Sequence, residues 1–212
     1  MRSEKDRSGA GQQTAVSLPR RNVRGESTRA RLTQAALESF AANGFHGTGT
    51  REIAEAAGLS QAAMYIHYPT KEDLLFQIAI DGHKELEAIV IAAQARACTP
   101  QEQLREWVHD FVAWHARSHT RARVINYEMR ALSPEHRLEV AKLRRSIGFV
   151  LRRIIGEGLE AGVFRVGDTG ITANAIVSLG IDIARWYRDD GVWGPEEVAQ
   201  RYTDLALRIV GC

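Results

Sequence analysis

The chain has 212 residues, of which 44% are hydrophobic and 25% charged, with a formal net charge of +2. A chain of this length can bury a substantial core in one or two domains. No apolar run reaches the roughly 18 residues of a membrane span, and no signal-peptide pattern opens the sequence. Its two cysteines, Cys98 and Cys212, match no disulfide or metal-binding spacing, which fits a reducing compartment. Together these features predict a cytoplasmic protein with no membrane partner.

The first 26 residues are polar and rich in Gly, Ser, Gln and Arg. Such a composition favours disorder, so we predict a disordered basic arm over residues 1–26. Arg20, Arg21 and Arg24 could reach a phosphate or the minor groove of DNA, or could form a solvated tail. Residues 1–71 carry ten Lys/Arg and six Asp/Glu, whereas the remainder carries eighteen and twenty. A basic front on a mildly acidic body is typical of a DNA-reading head joined to a body with another role.

Three helices are predicted next. The first covers about residues 28–43 and ends at Gly44, which tolerates a left-handed backbone. Two short helices follow, with Thr50 and Ser60 as their predicted caps and Gly58 as the turn between them. Helix, glycine turn, helix is the layout of a helix-turn-helix motif, whose second helix lies in the major groove of DNA.

This segment resembles the N-terminal domain of TetR-type transcriptional regulators, and the resemblance covers about residues 27–75. The usual pattern of that family is Thr-x-x-x-Ile-Ala-x-x-Ala-Gly-Val-Ser-x-x-x-Leu-Tyr-x-His-Phe-x-x-Lys. The chain departs from it with Leu59 for valine, Met64 for leucine and Tyr68 for phenylalanine, and Gly49 falls on the threonine position. The matching residues are Ile53, Ala54, Ala57, Gly58, Ser60, Tyr65, His67 and Lys71.

The resemblance implies two kinds of DNA contact. Gln61 could pair with adenine, and Ala62 and Ala63 could touch a thymine methyl group, although the family often has glycine and a small hydroxyl residue at those alanines. Tyr65 could instead be a core aromatic, and His67 could instead cap its helix. The predicted phosphate contacts are Thr48, Thr50, Arg51, Tyr65, His67 and Lys71.

The rest of the chain is predicted to be helical as well, which makes the fold all-α with about nine helices. Thr70 and Asp73 form a capping-box pattern at the start of the fourth helix, and Pro100, Pro134 and Pro195 each follow a plausible cap. We place the domain boundary between residues 27–72, the DNA-binding domain, and 73–212, the ligand-binding and dimerisation domain. The predicted body helices cover about residues 71–96, 100–118, 121–132, 134–161, 168–189 and 195–210.

The helix predicted over residues 168–189 is apolar around most of its girth, as expected of a helix buried on several sides. A homodimer interface explains this pattern, and in the family the last two helices form a four-helix bundle across a two-fold axis. Ala173, Gly180 and Ala184 would allow close approach there. The alternative is that this helix is central in a monomeric core. Asp182, in the same helix, is expected to pair with Arg185 or with an arginine of the partner.

By the same resemblance, the body holds a pocket for a small-molecule effector. Pockets combine apolar walls with a few polar groups, although most of the candidate aromatics could also be ordinary core. The stretch ARWYRDDG further resembles TetR-type repressors of fatty-acid and steroid catabolism, which sense acyl-CoA thioesters. Arg144 and its neighbouring arginines could bind a CoA phosphate or simply form a charged helix face. The candidate lining residues are Trp107, Phe111, Trp114, His115, Asn126, Tyr127, Phe149, Asn174, Ser178 and Trp186.

The sequence therefore predicts a repressor that binds a near-palindromic operator as a dimer and is released by a small hydrophobic effector. No Gly-rich phosphate loop, nucleophile elbow or HExxH motif is present, so we expect neither enzymatic activity nor a cofactor. His115 and His119, at i and i+4 with Asp110 nearby, could seed a metal site. A helical adaptor without specific DNA binding is the other alternative, and it leaves the Thr48–Lys71 pattern unexplained.

Overall fold

The computed structural model describes residues 20–212, with side chains from residue 25 onward. Within that range the chain is all-α, as predicted, with nine α-helices and one short 3-10 turn. The helices are α1 (Arg20–Gly47), α2 (Thr50–Ala56), α3 (Gln61–His67), α4 (Lys71–Ala95), α5 (Pro100–Arg117), α6 (His119–Tyr127), α7 (Pro134–Glu160), α8 (Thr169–Trp186) and α9 (Pro195–Ile209), and the 3-10 turn covers Met129–Ala131.

Helix α1 begins at Arg20, well before the predicted start at residue 28. The predicted disordered arm is therefore wrong for residues 20–26, while residues 1–19 and the side chains of the three arm arginines lie outside the described part. Gly44 interrupts α1 with φ of 71°, as its predicted left-handed conformation requires. Residues 45–47 resume a helical turn beyond it.

Helices α2 and α3 form the predicted helix-turn-helix. Gly58 makes the turn with φ of 67°, and the Ser60 hydroxyl accepts a hydrogen bond from Ala63 N at 3.1 Å, which confirms it as the cap of α3. The prediction for Thr50 is wrong by one residue. Gly49 is the N-cap of α2, and the Glu52 carboxylate accepts a hydrogen bond from its backbone N–H at 3.4 Å.

The body is arranged around α5, which packs against α4, α7, α8 and α9. Trp107, Phe111 and Val112 of α5 are buried in the core. Gly180 of α8 allows this packing, because a Cβ atom there would lie 2.5 Å from Phe111 Cε1. Gly180 therefore serves the protomer core and not the close dimer contact that we predicted, and Ala173 and Ala184 are buried in the same way.

The first turn of α4 contacts both the head and the body. The Lys71 ammonium at the start of α4 donates hydrogen bonds to Phe45 O (2.6 Å) and Thr48 O (2.7 Å), at the end of α1. One residue later, the Glu72 carboxylate contacts His136 Nδ1 of α7 at 2.8 Å and accepts a hydrogen bond from Ser133 N at 2.8 Å. The first turn of α4 is thereby fixed to both units. No helix in the described range is long and apolar enough to cross a bilayer.

Candidate functional site

Helix α3 has one buried face and one exposed face. Met64 and Tyr68 lie in the core of the head, 0% and 3% exposed. On the opposite face, Tyr65 is 44% exposed and Ile66 is 82% exposed. A single exposed isoleucine is common at a protein surface, but here it lies beside the exposed ring of Tyr65 on one side of a short helix. This face therefore has the character of a binding surface.

A polar cluster lies beside that face and joins α2 to α3. Gln61 Nε2 donates to Thr50 Oγ1 at 2.8 Å and to Tyr65 Oη at 3.3 Å, and the two hydroxyl oxygens are 3.2 Å apart. These bonds hold the three side chains in one orientation before any ligand binds. Preorganisation of this kind lowers the entropy cost of recognition.

The body contains a cavity of about 60 Å³ at the meeting point of α4, α5, α6, α7 and α8. The volume corresponds to room for about four water molecules. Its walls are mostly aliphatic and aromatic, with four polar side chains among them. The lining residues are His83, Leu86, Phe111, Trp114, His115, Ile125, Asn126, Arg144, Ile147, Val177 and Ile181.

The two cavity histidines are neutral near pH 7. Burial lowers the pKa of each to about 4, and the positive charge of Arg144 contributes to both shifts. His83 Nδ1 lies 2.7 Å from Ala79 O and His115 Nδ1 lies 2.8 Å from Phe111 O. Since a carbonyl oxygen can only accept, these contacts place the ring proton on Nδ1 and leave Nε2 as an acceptor.

Comparisons with known proteins agree with this architecture. Residues 32–78 match the model for bacterial regulatory proteins of the tetR family, and residues 97–210 match that for the tetracyclin repressor-like C-terminal domain. The chain belongs to the tetR family of transcriptional regulators. The comparisons support a ligand-responsive, DNA-binding regulator.

Individual relatives are similar over most of their length. A bacterial regulatory protein in the tetR family from Rhodococcus RHA1 is 44% identical, with a TM-score of 0.84, over 87% of this chain and 97% of that one. The complex of AibR with isovaleryl coenzyme A and operator DNA is 25% identical, with a TM-score of 0.77, over 84% and 97%. The transcriptional repressor KstR2 of Mycolicibacterium smegmatis is 27% identical over 85% of this chain and 89% of its own.

Most predicted DNA contacts of this tetR-family chain lie on or next to the exposed face of α3. Gln61, Ala62 and Tyr65 are exposed, and Thr50, Ala63 and His67 are partly exposed. The alternative of a core position for Tyr65 is wrong, because that ring is 44% exposed. Arg51 is exposed and pairs with Glu55 one turn on, at 2.8 Å.

Two predicted phosphate contacts have structural roles instead. Thr48 is 3% exposed, and its hydroxyl lies 3.0 Å from Ser39 O and 2.8 Å from Gly44 O, so the prediction for its side chain is wrong. The Lys71 ammonium donates two hydrogen bonds to backbone carbonyls at the end of α1 and lies 4.4 Å from the centre of the Phe45 ring. It acts as a clamp between helices.

Sequence reasoning missed Ile66, because it occupies a variable position of the family pattern. The helical spacing could have identified this residue, since it places Ile66 on the face opposite to Met64 and Tyr68. An isoleucine on the exposed side of a seven-residue helix has no packing role within the head.

Of the predicted effector-binding residues, the structure brings four to the cavity and places six elsewhere. Phe111, Trp114, His115 and Asn126 line it. The other six do not line this cavity, because residue type does not show which helix faces surround a gap. Trp107 is packed behind Phe111 in the core, Trp186 lies near Tyr202, and the remaining residues are exposed, namely Tyr127, Phe149, Asn174 and Ser178.

His83 was missed as a cavity residue, and Arg144, which we considered only for a CoA phosphate or a charged helix face, also lines the cavity. Arg144 lies in the series Val140, Arg144, Ile147, Leu151, which follows the i, i+4, i+7, i+11 spacing of a buried helix face. The spacing shows that the guanidinium belongs to the buried side of α7 and not to the charged face considered earlier. Only the packing of α7 on its neighbours shows that a cavity lies there.

The predicted pairing of Asp182 is confirmed, with Arg185 Nε 2.7 Å from Asp182 Oδ1 and Nη2 2.9 Å from Oδ2. This bond lowers the pKa of the carboxyl. Among the described residues, His115, His119 and Asp110 do not form a group whose ligand atoms are close enough to share an ion. Glu72, Asp73 and His136 do lie close enough to share an ion, but Asp73 caps α4 and Glu72 already contacts Ser133 and His136.

Proposed function

We propose that the protein is a transcriptional repressor that binds a near-palindromic operator as a homodimer and is released by a small effector in the body cavity. The observation that carries the proposal is the face of α3, where Ile66 is 82% exposed next to the preorganised cluster of Thr50, Gln61 and Tyr65. Met64 and Tyr68 anchor the other side of the same helix in the head. A recognition helix needs this combination of a rigid base and a chemically mixed outer face.

On the operator, Gln61, Ala62, Ala63 and Ile66 would read base edges in the major groove. The Gln61 amide can exchange its bonds to Thr50 and Tyr65 for a bidentate pair with adenine, and Ile66 can cover a thymine methyl. Thr50, Arg51, Tyr65 and His67 would contact phosphates at the rim of the groove, which sets the register of the helix.

An unpartnered apolar face supports the homodimer. Ile171 and Leu179 of α8 are 72% and 43% exposed, and Leu205 and Ile209 of α9 are 45% and 39% exposed. Large apolar side chains exposed together on two neighbouring helices mark an interaction surface. Pairing the α8–α9 faces of two protomers would cover them and would present two α3 helices to successive turns of DNA, roughly 34–36 Å apart.

The cavity supports an effector with an apolar body. Its walls are formed by Leu86, Phe111, Trp114 and aliphatic side chains of α6 to α8. Two similar proteins point to acyl metabolites, since one was crystallised with isovaleryl coenzyme A and another is the fatty acid metabolism regulator protein of Bacillus subtilis. An acyl-CoA or the corresponding acid is therefore the first effector class to test.

Helix α4 would transmit the signal between residues 27–72, the proposed DNA-binding domain, and residues 73–212, the proposed effector domain. Its middle lines the cavity through His83 and Leu86, and its first turn contacts the end of α1 through Lys71 and α7 through Glu72. A shift of α4 on effector binding would change the spacing of the two α3 helices. To move the dimer from 1:99 to 99:1, the effector must prefer one state by about 5.5 kcal/mol.

Fluorescence anisotropy on the DNA that flanks the gene tests the proposal, with competitor DNA and a salt series. We expect tight binding that competitor DNA does not displace, and light scattering should give a dimer. The variant Leu205→Glu/Ile209→Glu should be monomeric and bind the operator far more weakly, whereas Leu138→Glu, on an exposed part of α7, should remain dimeric. Binding that competitor displaces equally from every sequence would contradict a specific regulator and favour the adaptor alternative.

A further inference from the structure

The cavity contains a partly buried positive charge that has no negative partner among the described residues. Arg144 is the charged residue among those that line it, and Nη1 donates to the neutral amide oxygen of Asn126 at 2.9 Å. Burial lowers the pKa of Arg144. Within the described residues, no carboxylate lies within salt-bridge distance of its guanidinium. Burying a cation in this way costs free energy that a bound anion would recover.

Several other arginines of the body form ion pairs with carboxylates. Arg96 pairs with Glu106 and Asp110, Arg121 pairs with Glu85, and Arg201 pairs with Glu197, all near the surface. Ion pairs are thus formed where they contribute little to stability. Arg144, whose pKa is lowered by burial, is not among the paired arginines.

The neighbours of Arg144 cannot supply that charge. Glu85 of α4 is near the cavity, but its two carboxylate oxygens accept hydrogen bonds from Trp114 Nε1 at 2.9 Å and Arg121 Nη1 at 2.7 Å. His83 and His115 are neutral, and their Nδ1 atoms face backbone carbonyls. The cavity therefore carries one fixed positive charge against otherwise apolar walls.

We infer that the effector carries an oxyanion on an apolar body, and that Arg144 binds this anion inside the cavity. The guanidinium still has donors free beyond the bond to Asn126, and Arg is suited to bidentate recognition of carboxylate or phosphate. Asn126 orients the guanidinium, and the aromatic and aliphatic walls bind the apolar part. The oxyanion can be the carboxylate of a free acid or a phosphate of a coenzyme A thioester. This inference rests on the proposed function of the cavity as the effector site.

The test uses the full-length protein and straight-chain carboxylates from acetate to octanoate, each paired with its primary amide and its coenzyme A thioester. Amide and acid have nearly the same shape and differ in charge. Binding is measured by calorimetry and by tryptophan fluorescence, since Trp114 lines the cavity. We expect at least one carboxylate or thioester to bind and its amide to bind about tenfold or more weakly.

Two variants assign the effect to the cavity arginine. Arg144→Gln removes the charge and should remove the preference for the anion. Arg145→Gln removes the neighbouring charge from an exposed position of α7 and should keep the preference. Arg144→Lys keeps the charge without the planar fork, and should retain part of the preference. Thermal melting of each variant shows whether it is folded.

The two sources of the anion give different patterns. If the free acid binds through Arg144, Arg144→Gln weakens carboxylates and leaves the amides unchanged. If a coenzyme A phosphate is the ligand, the thioester binds, the acid does not, and Arg144→Gln weakens the thioester alone. Equal binding of acid and amide, a preference that survives in folded Arg144→Gln, or no binding across all three series would overturn the inference. Operator binding is measured separately, so its absence counts against the proposed function and not against the role of Arg144.

Discussion

The head and the body differ in whether their polar side chains have partners. In the head, polar side chains at α2 and α3 find partners within the head, such as Thr50 and Tyr65 for Gln61 or Ala63 N for Ser60. In the body, Arg144, His83 and His115 are drawn from three helices into a cavity where the charge has no counter-ion among the described residues. The head is thus a surface whose polar side chains are already paired. The body instead contains an unpaired charge that a bound ligand can neutralise.

The largest expected effect concerns the cavity histidines. In the folded protein their pKa is about 4, below the ordinary value of 6.5, so between these values the unfolded chain binds more protons than the folded one. The contribution of these histidines to the free energy of unfolding should therefore be fully present above about pH 6.5. It should be lost as the pH drops towards 4, by roughly 3 kcal/mol per histidine. Urea unfolding at a series of pH values measures this.

The control for this prediction uses variants. His115→Gln should flatten the pH dependence, whereas His46→Gln, on the exposed end of α1, should leave it unchanged. If His115→Gln has the same pH profile as the unchanged protein, acid sensitivity arises outside the cavity and the contrast between head and body is weakened.

A second prediction concerns the clamp that Lys71 forms between the start of α4 and the end of α1. Lys71→Met should lower the free energy of unfolding by about 2 kcal/mol, because two carbonyl groups at the end of α1 lose a charged donor. Lys84→Met, at an exposed position of the same helix, should have little effect. If the two variants are equally stable and only Lys71→Met binds the operator more weakly, the result would support the phosphate contact predicted for Lys71 from the sequence.

A third prediction concerns base reading by the head. Gln61→Ala should cost about 1–3 kcal/mol at one base step and relax the sequence preference there. Arg51→Ala should instead weaken binding to all sequences and reduce the slope of affinity against salt by about 0.9 per lost phosphate contact. Competition with single-base operator variants separates the two. Uniform weakening by Gln61→Ala would show that its amide holds the cluster together without reading a base.

The smallest expected effect concerns coupling between the units. His136 stacks on Phe76 at 3.7 Å and contacts Glu72, so it ties α7, which carries Arg144, to the first turn of α4. His136→Ala should reduce the effect of the effector on operator affinity by about 1 kcal/mol, with Arg137→Ala, which is exposed, as the control. A thermodynamic cycle of effector and operator binding measures this. Unchanged coupling would show that the signal bypasses this contact.

The sequence predicted local features best. Gly44, Gly58, Ser60 and the Thr70–Asp73 box lie where expected, since each depends on a few neighbouring residues. Thr50 was misplaced by one position, because Glu52 caps the backbone of Gly49 directly. The start of α1 was misplaced further, since composition alone predicted disorder where a helix forms.

The amino-acid sequence by itself determined the all-α architecture, the helix-turn-helix and the family, because these depend on helical spacing, caps and a contiguous motif. Tertiary structure decided which groups face a cavity and which face water. Thr48 and Lys71 carry the right chemistry for phosphate but are used within the head, and Phe149 carries the right chemistry for a pocket but faces outward. Arg144 became significant only when five helices packed around it, since an unpaired charge is defined by what surrounds it.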